Sequence, residues 1–189
     1  MRMADTYKGM VFGNSGVFQM ALQGGARRYA LSNIFILGVL FGLSNFFGVL
    51  QTAPELPLDG KFAIITPLIF SIFGVVSMCG ALIAFTLIYW AASRAFGGFG
   101  GFGLIFDLIG TAAVPFWVLA PLLNYTIRYS TDGPLRVVLI CSTVIAFLWS
   151  FRVIRESMVT GQGISNLRAT IAVAAMWIFS TSAIYVFIP

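Results

Sequence analysis

The sequence predicts an all-α fold: a polytopic transmembrane helix bundle of about five spans with no soluble domain. Three observations lead there. Of 189 residues, 59% are apolar and only 9% charged, and mean hydropathy is +0.97. A domain in water carries roughly 25% charged residues to keep its surface wetted, so most of this chain's surface faces lipid. Apolar runs of spanning length, about 20 residues, recur along the chain between short polar stretches. The 20 glycines and 7 prolines would weaken soluble helices, but membrane helices tolerate them.

Residues 1–31 form an N-terminal segment without the charge-first, apolar-next order of a cleavable signal peptide: the pair Arg27-Arg28 follows the apolar residues rather than preceding them. Within it, Val17, Phe18, Met20, Ala21 and Leu22 alternate with Gln19 and Gln23. This reads either as a short helix in the headgroup layer, ending at Gly24-Gly25, or as a polar tail. The membrane domain is residues 32–189, with spans at about 32–50, 62–92, 103–123, 135–151 and 167–188. Four or six spans are the neighbouring counts. The second run exceeds one span and is too short for two, so it is either strongly tilted or broken near Pro67. Pro115 and Pro121 predict that the third is kinked or ends early.

Glycine and proline punctuate the connections: Pro54, Pro57 and Gly60 in the first, Gly97 to Gly101 in the second, Gly133-Pro134 in the third, and Gly161 and Gly163 in the fourth, taken as Arg152 to Arg168. Positive charge sets the orientation. With the N-terminus cytoplasmic, that side collects Arg2, Lys8, Arg27, Arg28, Arg94, Arg152, Arg155 and Arg168, against Lys61, Arg128 and Arg136 opposite. The positive-inside rule then puts the N-terminus inside and, for five spans, the C-terminus on the opposite side.

The residues that carry chemistry are few. The chain has no His and only Cys79 and Cys141, each alone in an apolar run, so the expectation is no metal, no cofactor and no catalytic residue. The net charge of +5 has no basic run longer than Arg27-Arg28, which argues for headgroup contacts and against nucleic acid. Arg27, Arg28, Arg152 and Arg155 are the candidate headgroup contacts. Asp107, in the third segment, is the candidate ionisable residue: a proton or ion ligand, or a carboxylate placed one turn from a helix start to suit the dipole. Gly97, Gly98, Gly100 and Gly101 read as a tight turn, with positive φ expected at Gly98 and Gly100. Gly38 and Gly42 have the small-xxx-small spacing that lets helices approach closely, and Pro115 marks a kink. No phosphate-loop residues follow the glycine run.

Residues 62–189 resemble the Yip domain family, five-span membrane proteins named for interaction with Ypt/Rab GTPases. The resemblance rests on Leu87-Ile88-Tyr89-Trp90, the Phe96-Gly97-Gly98-Phe99-Gly100 turn, and a span interrupted by Pro115. It continues through Trp149 into Arg152-Val153-Ile154-Arg155, and through Gly161 and Ile164-Ser165-Asn166-Leu167-Arg168-Ala169 into the last span. It implies a five-helix fold with cytoplasmic N-terminus and a membrane-organising role. The Asp-Leu-Tyr-Gly-Pro stretch of eukaryotic relatives is absent, so a GTPase interaction is not carried over.

Two functions fit these residues. One is a non-enzymatic membrane protein acting through protein or lipid contacts, as a Yip-like scaffold or an accessory subunit of a larger membrane complex, with membrane lipids and other membrane subunits or its own copies as partners. The other is a small transporter or channel using Asp107 and the Pro115 kink. They differ in Asp107, which a transporter turns into the bundle with a polar partner and a scaffold can leave at the headgroups.

Overall fold

A computed structural model describes residues 3–52, 58–130 and 133–187. Eight helices and no strands form among them: α1 (Met3–Phe12), α2 (Ser15–Leu22), α3 (Arg27–Thr52), α4 (Phe62–Ala95), α5 (Phe102–Thr111), α6 (Phe116–Arg128), α7 (Pro134–Gln162) and α8 (Asn166–Phe187). The fold is all-α. Helices α3, α4 and α7 are long and apolar enough to cross a membrane. The pair α5 and α6 makes a fourth candidate, broken between Thr111 and Phe116 with a 75° bend, and the described part of α8 is a shorter apolar helix. This is a multi-pass membrane protein.

The differences from the sequence reading have local causes. α4 is one continuous helix of 34 residues, unbroken at Pro67, which lies in its second turn. α7 continues through the expected fourth connection to Gln162, leaving only residues 163–165 before α8. Past Arg152 its face still buries Val153, Ile154, Ser157, Met158 and Gly161, and helical packing, not the charges of Arg152 and Arg155, decides where it stops. Gly163, at φ +66, turns the chain. In the third segment Pro115 immediately precedes α6, where proline's fixed φ suits a helix start. Pro54 and Pro57, expected in the first connection, lie outside the described residues, as do Arg2 and Pro189.

Contacts divide the chain into two compact units. The first comprises residues 1–30, 82–112 and 151–189, and the second 31–81 and 113–150. In the first unit, residues 3–22 form two helices and not a polar tail. Asn14 caps α2 by accepting from Gly16 N at 3.2 Å, and Gly24, at φ +76, follows its end with Gly24 N and Gly25 N closing back on Ala21 O and Met20 O. α2 packs on α5, burying Val17, Phe18 and Ala21. Around them the core holds Met10, Tyr89, Ile105, Leu108, Ile154, Met158 and Val173.

In the second unit the backbones of α3 and α4 meet. A Cβ on Gly38 would stand 2.5 Å from Val75 Cα, one on Gly42 2.7 Å from Ser71 Cα, and one on Gly74 2.7 Å from Gly42 Cα. Real Cβ atoms do not approach that closely, so three glycines make the crossing. Lipid tails are as apolar as leucine, so apolar burial gives little drive for helix association in a membrane, and contact dispersion at such crossings supplies it. Much of the remaining α4 surface is bare: in its most apolar window only 11% of residues are buried within the chain, against 39% for α3 and 22% for α7.

Candidate functional site

Polar groups in an apolar chain mark the places where something other than lipid contact is being specified, and the described residues hold two sets of them. In the first unit, Asp107 is buried on α5, its side chain 8% exposed, and pairs with Arg27 at the start of α3, whose side chain is 54% exposed. Arg27 also donates to Gly103 O at 3.3 Å and lies 5.1 Å from the Phe106 ring centre. Asp107 therefore sits in the second turn of α5, and its charge is balanced by a guanidinium rather than by the helix start alone. Thr111 Oγ1 donates to Asp107 O at 2.8 Å, occupying a backbone carbonyl near the break. Gly110 faces Ala30, where a Cβ would lie 2.8 Å from Ala30 Cα, so α3 and α5 touch beside the ion pair.

Two further pairs tie α4 to α7 in the same unit. Tyr89 OH and Ser157 Oγ are 2.9 Å apart, both residues fully buried. Four residues on from Tyr89, Ser93 Oγ donates to Gln162 Oε1 at 2.9 Å, and Gly100 N donates to the same oxygen at 2.9 Å. Gln162 Nε2 is buried with no hydrogen-bond partner among the described residues. This explains the glycine turn differently from the sequence reading. Only Gly97 has positive φ, at +91; Gly98 and Gly100 do not. They are glycine because a Cβ on Gly98 would stand 3.0 Å from Ser93 O, and one on Gly100 2.7 Å from Gln162 Oε1. Gly101 caps α5 in extended backbone with open space around it.

In the second unit the polar set joins α3 to α6. Asn124 Nδ2 donates to Asn45 Oδ1 at 3.0 Å, Tyr129 OH donates to that oxygen at 3.4 Å, and Asn45 Nδ2 donates to Phe41 O at 3.1 Å. Ser44 Oγ donates to Pro121 O, and Trp117 Nε1 to Asn33 O at 3.0 Å. Gly48 admits the Tyr129 ring, whose Cγ lies 2.5 Å from where a Cβ would be. Such bonds hold spans together because hydrocarbon offers neither donor nor acceptor.

Of the other arginines singled out in the sequence, Arg28 lies over the Tyr29 ring at 4.8 Å and donates to its hydroxyl, Arg155 pairs with the adjacent Glu156, and Arg152 is exposed. Cys79 and Cys141 are free and exposed on their helices. The chemistry on view is hydrogen bonding and charge pairing between helices. Asn45, Asn124 and Gln162 are not among the residues the sequence singles out; for Asn45 and Asn124 an amide within or at the end of an apolar run is the available signal, and Gln162, between Gly161 and Gly163, carries none.

A family model described as the Yip1 domain matches residues 14–188, reaching from α2 through the first span and beyond the expected 62–189. No curated protein and no solved structure matches.

Proposed function

Because the chain belongs to the Yip1 domain family, we propose that it is a non-enzymatic membrane scaffold, acting through helix contacts with other membrane subunits or its own copies and with lipid. The carrying observation is α4: a 34-residue helix buried over only 11% of its apolar window, with Ile64, Leu68, Ile72 and Val76 exposed at four-residue spacing along one stripe. The polar side chains described above are spent on internal helix pairs, so this apolar surface and α7's are what the chain offers to a neighbour. We place the N-terminus in the cytoplasm from the distribution of Lys and Arg. No GTPase partner is proposed.

The test is purification from native membrane in mild detergent, with a photo-crosslinker at Ile72. A defined species at fixed stoichiometry, cross-linked to Ile72, is the expected result. A lone monomer that cross-links only to lipid would end the protein-contact reading.

One observation favours a transporter as the second reading: Asp107 is turned inward and has a polar partner. Proton- or ion-linked flux in vesicles, lost on Asp107→Asn, would support it; no flux from correctly folded wild-type protein would dismiss it.

A further inference from the structure

Arg94 and Arg168 line a cleft of about 480 Å³ together with Ala95, Phe96 and Gly97. Both arginines are exposed, and neither is engaged in an ion pair or hydrogen bond among the described residues. Their settings differ. Arg94 is in the last turn of α4, where the helix dipole favours a cation. Arg168 is in the first turn of α8, where the dipole's positive end opposes one. No residue lining the cleft is acidic, so its charge is balanced by nothing in the wall. Gly97, at φ +91, leaves the floor bare, with Arg168 Nη1 4.0 Å from where a Cβ would stand. The flanking residues are apolar and open: Trp90, one turn before Arg94, is 39% exposed, Phe99 61% and Leu167 71%. An indole beside a cation at the end of an apolar helix is an interfacial arrangement.

We infer that this cleft binds the phosphate of an anionic membrane lipid. Arg94 and Arg168 take its oxygens, which guanidinium groups match with paired donors, and the acyl chains lie over the exposed apolar residues nearby. The inference deepens the contact role proposed above by naming a lipid class, and it can fail independently. The lipid titration below reads the cleft alone, and cross-linking at Ile72 reads α4.

The experiment uses the full chain in neutral detergent and measures thermal stabilisation as phosphatidylglycerol is titrated, with phosphatidylcholine and inorganic phosphate as parallel probes. Saturable stabilisation by phosphatidylglycerol alone is expected. Arg94→Gln with Arg168→Gln should weaken the response about tenfold or more, the Lys pair at the same positions should retain part of it, and Arg128→Gln should leave it unchanged. If the double Gln variant does not fold, each single variant should weaken binding by roughly threefold. An unaltered response in the folded Gln variants would overturn the site. Equal stabilisation by inorganic phosphate would overturn the lipid assignment in favour of a soluble anion.

Discussion

Replacing Gly42 with alanine puts a methyl group where α4 already stands. The added carbon would lie 2.7 Å from Ser71 Cα, whereas non-bonded carbons rest at about 3.5–4.0 Å. The obstacle is backbone, so no rotamer change relieves it, and α3 and α4 must part by roughly 1 Å. Parting them loosens the contacts that Gly38 makes at Val75 and Gly74 makes at Gly42. Overpacking of this kind costs about 1–3 kcal/mol, and a loss near 2 kcal/mol is roughly a 30-fold change in the folding equilibrium. The assay is equilibrium unfolding in mixed micelles, titrating denaturing detergent and following tryptophan fluorescence. Gly80→Ala is the paired control: a Cβ there meets nothing within 4 Å, and replacing a helical glycine should stabilise by about 0.5–1 kcal/mol. Indistinguishable unfolding of the two variants would refute the close crossing.

Three more outcomes follow from the polar pairs. Arg27→Gln should destabilise by about 3–5 kcal/mol because it strands a buried carboxylate, whereas Asp107→Asn should cost only about 1–2 kcal/mol because the freed, half-exposed guanidinium can reach water; the same unfolding titration checks the order. Gln162→Leu removes the acceptor shared by Ser93 and Gly100 and should lower stability by about 2 kcal/mol, with faster proteolysis in the 97–101 turn as the local signature. Asn124→Leu should cost about 0.6–2 kcal/mol, and a double-mutant cycle with Asn45→Leu should recover that coupling.

The parts of the fold legible in the sequence were those written in short-range pattern. Apolar runs in the sequence overlap α3, α4, α7 and α8, Gly24 and Gly97 mark turns, and Pro115 marks the break, because each acts on its own backbone; α1 has no such run. What failed to show was pairing over distance. Asp107 was conspicuous as an acid in an apolar run, but its partner Arg27 is 80 positions away, and nothing local connects them. Gly38 and Gly42 announced a close crossing without naming Gly74 as the residue opposite. Gly98 and Gly100 suggest a backbone conformation in the sequence, whereas the constraint on them comes from Ser93 and the Gln162 side chain packed against them. The end of α7 was misplaced for a related reason: charge suggested a loop, while burial of Val153, Ile154 and Met158 carried the helix on.

The length of α4 bears on where in a cell such a chain is comfortable. At 1.5 Å per residue its 34 residues extend about 51 Å, against a hydrocarbon core of about 30 Å and some 40–45 Å with headgroups. With Lys61 just before it and Arg94 in its last turn, the excess is taken up by leaning, or by a bilayer that is itself deep. Sterol- and sphingolipid-rich membranes are a few ångströms thicker than the thinnest internal ones, and each ångström of mismatch costs a fraction of a kcal/mol. On the contact role proposed for it, the same helix would also give the chain a preference among membranes of different thickness.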